Sequence, residues 1–169
     1  RIMGMKQWFE ALFGAVALSL AASSAMAGGF MVETANWFVL SFTNSCIAGN
    51  RPPAEYNFSP WNSLTLHVAK DGGLKVEVVF WPGLFKQGEA RKLSLHPERG
   101  DQHILDADIT SIDGLQTAQP LGNDLIKELS GSELLQVGTP GVPTRLGFDT
   151  SHIGDVLKAL EDCRKTLGG

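Results

Sequence analysis

Cysteine is scarce in this sequence, with two residues among 169, and no Cys-x-x-Cys pair occurs. The sequence also has no Gly-x-Ser-x-Gly elbow, no phosphate-binding glycine loop and no His-Glu-x-x-His motif. Each of these patterns places the reactive groups of one protein class at a fixed spacing. Their absence excludes a motif-based assignment to serine hydrolases, zinc proteases or nucleotide-binding proteins, and the sequence predicts no cofactor.

Positive charge is also low. Lys and Arg number 14 against 18 Asp and Glu, which gives a net charge of −4 with His neutral. The densest basic group, Lys86, Arg91 and Lys92, is typical of a solvated strand end. Nucleic-acid and anionic membrane surfaces need clustered Lys and Arg, so the sequence predicts neither as a partner.

Long hydrophobic runs are missing after the first thirty residues. The run Ala11–Ala22 is too short to span a bilayer comfortably. It follows the positive start at Met5 and Lys6 and precedes the small-residue site Ala25-Met26-Ala27. Residues 1–27 are therefore predicted to be a secretory signal peptide, with Met5 as the initiator. A retained membrane anchor is the alternative, because aromatic residues extend the apolar run toward its start.

Cleavage after Ala27 leaves residues 28–169, with a net charge of −5, as a single mature domain of ordinary size. The predicted location of the mature protein is periplasmic or secreted, and no membrane span is expected after cleavage. Because oxidising compartments favour bonded thiols, Cys46 and Cys163 are predicted to form a disulfide. Two free buried thiols, or a catalytic thiol at Cys46, are the alternatives.

Alternating apolar and polar residues predict a largely antiparallel sheet. The strongest signal is a β-hairpin over 64–81, which turns at Lys70-Asp71-Gly72-Gly73. Further strands are predicted at 37–43, 90–95, 103–110, 133–137 and 144–148. The expected fold class is α+β or mostly β, in one domain.

Two helices complete the predicted fold. A short helix is expected near 123–130, with Asn123 as its N-cap. A C-terminal helix is expected at 152–167, capped by Thr150 or Ser151. Its apolar stripe faces the sheet, which turns the second cysteine toward the core. The alternative arrangement of the same elements is a β-sandwich with a packed terminal helix.

Residues 48–63 are rich in Gly, Asn and Pro and predict a long surface loop. Tyr56, Phe58 and Trp61 lie in this loop and form the candidate binding patch. Three aromatic rings on a polar loop either pack down as a lid or present a recognition surface. Both interpretations stay open.

One group of residues has the chemistry of metal ligands. His96, His103, Asp106 and Asp108 lie within thirteen residues and could offer imidazole and carboxylate ligands to zinc. However, His103 and Asp106 would face opposite sides of a strand, so the group converges only if the loop folds back. A metal-assisted hydrolase is thus the enzymatic alternative, and ordinary polar strand ends are the simpler interpretation. No catalytic residue is assigned.

Several features occur in a characteristic order. An aromatic-led strand is followed by Cys46, a hairpin turns at 71–72, and a Pro-Gly-Leu stretch occupies 82–84. The closing segment 148–160 reads Phe-Asp-Thr-Ser-His-Ile-Gly-Asp-Val-Leu-Lys-Ala-Leu. In this order the chain resembles the invasion-associated locus B family of small alphaproteobacterial envelope proteins.

The resemblance implies a β-sandwich-like periplasmic or surface protein linked to host interaction or envelope stress, without established catalysis. Members of that family usually have more cysteines, and no site residue is carried over. The predicted function is therefore that of a non-enzymatic exported bacterial protein that binds a protein partner of unknown identity. A periplasmic inhibitor or immunity protein is a further alternative, because small size, acidity and a disulfide also suit that role.

Overall fold

The computed structural model describes residues 31–34, 36–50 and 62–167, which form ten strands and two helices. The strands are β1 (Met31–Glu33), β2 (Trp37–Ser41), β3 (Ser45–Asn50), β4 (Ser63–Ala69), β5 (Leu74–Val79), β6 (Arg91–Pro97), β7 (His103–Ile109), β8 (Gly114–Thr117), β9 (Leu134–Thr139) and β10 (Val142–Asp149). The helices are α1 (Asn123–Ser130) and α2 (Ile153–Thr166). Within the described ranges, neither helix has the length and apolar character needed to cross a membrane.

All ten strands belong to one antiparallel sheet in the order β1-β2-β3-β4-β5-β8-β7-β6-β9-β10. Most neighbours in the sheet are also neighbours in sequence, because short connections join antiparallel strands. The observed fold is the mostly β, largely antiparallel domain with a short helix and a C-terminal helix that the sequence predicts.

The predicted hairpin is β4 and β5. Leu66 pairs with Val76, and alternate residues on both strands are buried while those between them are partly exposed. Gly72 and Gly73 in the turn have φ values of 89° and 90°, which side-chain-bearing residues rarely adopt. The alternation of the sequence therefore fixes which face of the hairpin enters the core.

The sheet curls back on itself around one core. Asn50, at the end of β3, donates through Nδ2 to the backbone oxygen of Asp149, at the end of β10, over 2.7 Å. Trp37 on β2 and Phe148 on β10 are both fully buried in the same hydrophobic cluster. Strands far apart in the sheet order thus enclose a shared interior.

Helix α2 packs on β2, β3 and β4. Its buried stripe consists of Ile153, Val156, Leu160 and Cys163. The predicted disulfide joins Cys163 to Cys46 on β3, with the two Cα atoms 6.2 Å apart. Both cysteines are completely buried, so the bond fastens the last helix to the sheet from inside the core.

Helix capping differs from the prediction at both helices. Asn123 is the first residue of α1, and Gly122 before it is the N-cap, without a side-chain hydrogen bond. His152 is the N-cap of α2, also without a side-chain bond. The Thr150 hydroxyl donates instead to the backbone oxygen of Ser132, 3.0 Å away. That buried contact ties the residue that precedes the α2 N-cap region to the loop after α1.

Strand β3 was not predicted, and it extends through Asn50, where the sequence predicted a loop from residue 48. Gly49 is a poor strand residue on its own. In the structure the Phe38 ring lies against it from β2, where a Cβ on Gly49 would come within 2.1 Å of the ring. A cross-strand aromatic ring covers the glycine and compensates for its missing side chain.

Candidate functional site

Three large apolar side chains are exposed at one end of the sheet. Trp81, Leu84 and Ile112 have relative exposures of 53%, 65% and 60%. They lie on two adjoining loops, residues 80–85 after β5 and residues 110–113 before β8. We call these three side chains the apolar ridge.

A buried carboxylate supports the ridge. Asp113 is only 6% exposed. Its Oδ1 accepts hydrogen bonds from the backbone nitrogens of Gly83, at 2.7 Å, and Leu84, at 3.3 Å. Hydrogen bonds to a charged acceptor are stronger than those between neutral groups. Asp113 therefore fixes the backbone from which Leu84 projects.

Further hydrogen bonds fix both ends of the loop 80–85, which carries Trp81 and Leu84. The Phe85 nitrogen donates to the Ile112 oxygen over 2.6 Å, which joins the two loops directly. At the other end, the Trp81 nitrogen donates to Oδ1 of Asn62 over 2.7 Å. Asn62 is itself 4% exposed. Two buried polar side chains thus hold the loop at separate points.

Aromatic packing anchors the ridge from below. The rings of Phe80 and Phe85 meet edge to face, with centroids 6.1 Å apart, and the Arg91 guanidinium lies 4.9 Å from the Phe85 centroid. Leu84 has a φ of 52°, an uncommon conformation for a non-glycine residue. Such conformations persist where the surrounding contacts determine them. The ridge is therefore a prearranged surface.

One hollow adjoins the ridge at Trp81, and a second shares Val142 and Pro143 with the first. The larger, which we call the apolar cavity, has a volume of about 710 Å³ and is lined by Asn62, Phe80, Trp81, Pro82, Val142, Pro143, Thr144 and Leu146. The smaller, which we call the Arg145 pocket, has a volume of about 300 Å³. Its wall includes Ser94, Ile104 and Arg145. The N-terminal part of β10 contributes to both.

The structure does not bring the predicted metal ligands together. His103 Nε2 lies 2.8 Å from Glu128 Oε2, which ties β7 to α1. Asp106 makes an ion pair with Lys92. Within the described ranges, no group of three His, Cys, Asp or Glu residues could hold a metal ion. His96 and Asp108 do not join the other two in a common site.

The predicted aromatic patch belongs to the loop between β3 and β4. Tyr56, Phe58 and Trp61 lie outside the described residues, as does the predicted signal peptide over 1–27. Asn62, the first described residue after that loop, is the residue that holds Trp81. The chain therefore re-enters the described structure beside the apolar ridge.

A separate polar cluster lies on the partly exposed face of β4 and β5. His67 Nε2 is 2.9 Å from Glu77 Oε2, and the Thr110 hydroxyl donates to Glu77 Oε1 over 2.6 Å. The hydrogen bond with His67, helped by that from Thr110, holds the pKa of Glu77 below its usual 4.5 against the opposing effect of burial. The cluster links β4, β5 and the loop after β7 through the close approach of His67 to Glu77 and the hydrogen bond from Thr110.

The sequence interpretation missed the apolar ridge. The available signal was the Trp81-Pro82-Gly83-Leu84 run, in which two large apolar residues flank turn-forming ones. In the sequence this run predicts the end of a strand and contributes to the family resemblance, and it does not predict an exposed apolar surface. The part played by Asp113 depends on contacts with residues thirty positions away, and local patterns carry no information about such contacts.

Comparison with known proteins supports the fold assignment. No protein-family model and no curated protein matches this sequence. Among solved structures, the crystal structure of invasion associated protein B from Bartonella henselae matches with a TM-score of 0.59 at 13% identity. The match covers 80% of this chain and 98% of that one. The resemblance predicted from the sequence is confirmed as a weak likeness, and at this identity it concerns the fold.

Proposed function

We propose that this chain is an exported, non-enzymatic protein that binds a protein partner through the apolar ridge. The observation that carries the proposal is the exposure of Trp81, Leu84 and Ile112 on a backbone that buried side chains hold in place. Exposed apolar groups that cluster on a surface are typical of interaction sites. A loop that is already ordered loses little entropy when a partner binds.

Protein is the partner class that suits the ridge. Tryptophan and other large side chains supply much of the binding free energy at protein interfaces. The ridge is apolar, and the mature chain has a net charge of −5, which does not suit a polyanion. We therefore expect the partner to bury the ridge in an apolar groove of its own.

Three observations support export. Residues 1–27 have the pattern of a signal peptide. The Cys46–Cys163 bond suits an oxidising compartment. A solved structure with a similar fold is named an invasion associated protein, and we extend to this chain a role at the bacterial envelope or in contact with a host. N-terminal sequencing of the exported protein should begin at Gly28.

A matched pair of variants tests the ridge. Ile112 and Phe42 are exposed to similar extents, 60% and 54%, and Phe42 lies in the β2–β3 turn, outside the ridge and the linings of both hollows. Tagged wild-type protein and each variant should be cross-linked in the envelope and captured, and the partners identified by mass spectrometry. We expect Ile112→Ser to lose a partner that wild type and Phe42→Ser retain. A partner set unaffected by Ile112→Ser and Leu84→Ser would contradict the proposal.

The aromatic loop gives a second proposed contact. Replacing Tyr56, Phe58 and Trp61 together with alanine should remove the same partner and leave the melting temperature nearly unchanged. The physical reason is that recognition side chains contribute to the complex rather than to the fold. A large fall in melting temperature would show instead that the three rings pack as a lid.

A further inference from the structure

The outer edge of β10 lies beside the apolar ridge. β10 is the last strand in the sheet order, and the described part of the chain places no other strand alongside it. Its pairing with β9 is interrupted, because Val142 pairs with Thr139 and Leu146 pairs with Val137. Residues 143–145 consequently have no register partner in β9. Before Asp149, whose oxygen already accepts from Asn50, the outer side of this edge strand offers backbone groups to an incoming strand.

The two hollows lie on opposite sides of this edge. Val142 and Pro143 line both, whereas Leu146 lines only the apolar cavity and Arg145 lines only the Arg145 pocket. Successive side chains of a strand point to opposite faces. A segment paired alongside β10 would therefore direct its own side chains alternately into the two hollows.

The two hollows differ in charge. Among the described residues, Arg145 is the one charged side chain in either lining, and no carboxylate lines them. Arg145 is exposed and forms no ion pair or hydrogen bond with another described residue. An acidic side chain would complement it. On the other side, the walls formed by Phe80, Trp81 and Leu146 would complement an apolar side chain.

We propose that the partner contributes an extended segment with alternating apolar and acidic side chains, which adds to β10 as a further strand. This inference rests on the proposed function, because Trp81 belongs both to the ridge and to the wall of the apolar cavity. Pro143 has no backbone N–H, so pairing relies on the N–H groups of the residues that follow it. Backbone bonds supply affinity in this mode of recognition, and the alternating hollows supply specificity.

A displayed library of random linear peptides, selected on the exported, disulfide-bonded protein, tests the inference. Enriched peptides should place an acidic residue one or three positions from an apolar one, the spacing that puts them on opposite faces. Arg145→Glu should weaken binding of such a peptide about tenfold and shift a new selection toward basic residues. Lys70→Glu, a charge reversal at the distant β4–β5 turn, should change neither result.

Backbone pairing is tested by N-methylation of the selected peptide at one position at a time. Strand addition predicts about tenfold loss at every second position, because alternate N–H groups face the neighbouring strand. Loss without this period would overturn strand addition. Sedimentation that shows a dimer of this chain, separated by Arg145→Glu, would assign the edge to a second copy instead.

The outcomes also separate this inference from the proposed function. If no peptide is enriched, or if Arg145→Glu leaves peptide binding unchanged, the strand-addition inference is wrong. The proposed function would still stand if Ile112→Ser loses its partner while Phe42→Ser keeps it. If both experiments are negative, the ridge is not a binding surface.

Discussion

The side chain of Asp113 holds the backbone of the surface loop 80–85. Its buried carboxylate accepts two backbone hydrogen bonds from Gly83 and Leu84. Asp113→Ala would leave these donors without their partner, and we expect a loss of about 2 to 3 kcal/mol in the free energy of unfolding. Asp113→Asn should cost less, because an amide oxygen can still accept both bonds. Urea denaturation of the two variants measures the difference, and equal losses would contradict this account.

Glu77 makes stability depend on pH with a defined sign. Its pKa in the folded protein is lowered, first by the hydrogen bond with His67. The stability it contributes is therefore full above the unfolded value, near 4.5, and is lost as the pH falls through the lower folded value. Glu77→Gln should cost about 1 kcal/mol at neutral pH, and the cost should fade in acid.

Unfolding by urea at several pH values measures this contribution. The exposed Glu98 gives a control, and Glu98→Gln should leave stability unchanged at every pH. A Glu77→Gln cost that stays constant down to strongly acidic pH would mean that the carboxylate charge is not the source of the stabilisation.

The β4–β5 hairpin shows which elements a sequence can specify. Its apolar residues alternate strictly, and the turn contains the glycines that the backbone requires. Strand β8 was missed because it has four residues and begins with Gly114. A strand this short has no period to detect, and its position between β5 and β7 is set by pairing with distant residues.

The two turn glycines of this hairpin differ in a measurable way. Both have positive φ, so an alanine at either site should cost about 1 to 2 kcal/mol. A Cβ on Gly72 would meet nothing, whereas one on Gly73 would come within 2.9 Å of the Pro120 ring. We therefore expect Gly73→Ala to lower the melting temperature more than Gly72→Ala. The reverse order would show that the turn relaxes around Pro120.

At the scale of the whole molecule, the disulfide is the covalent cross-link, and it uses both cysteines of the sequence. It joins residues 117 positions apart and lies fully inside the core. By loop-closure entropy, replacing both Cys46 and Cys163 with alanine should lower the free energy of unfolding by about 4 to 5 kcal/mol. Chemical denaturation of the variant and the oxidised wild type tests this. A difference below about 1 kcal/mol would mean that the packing of α2 suffices without the bond.

Fold class and cysteine pairing were accessible from the sequence because both follow from pattern and compartment. Alternating apolar and polar residues predict most of the strands. The buried stripe of α2 includes Cys163 and faces the sheet. The candidate site was not accessible in this way. Trp81, Leu84 and Ile112 form one surface only because Asn62 and Asp113 bring separate loops together. Such contacts between distant residues depend on the tertiary structure and have no local sequence pattern.

The wide spacing of the two sulfur atoms along the chain also imposes an order of events. In a chain that is exported with its N-terminus first, Cys46 reaches the oxidising side well ahead of Cys163, with 117 positions between them. Cys46 therefore stays a thiol until Cys163 in the last helix is also exported. Oxidation of Cys46 before that point would require another molecule. If the chain is exported as we propose, closure of the bond reports that Cys163 has reached the oxidising side.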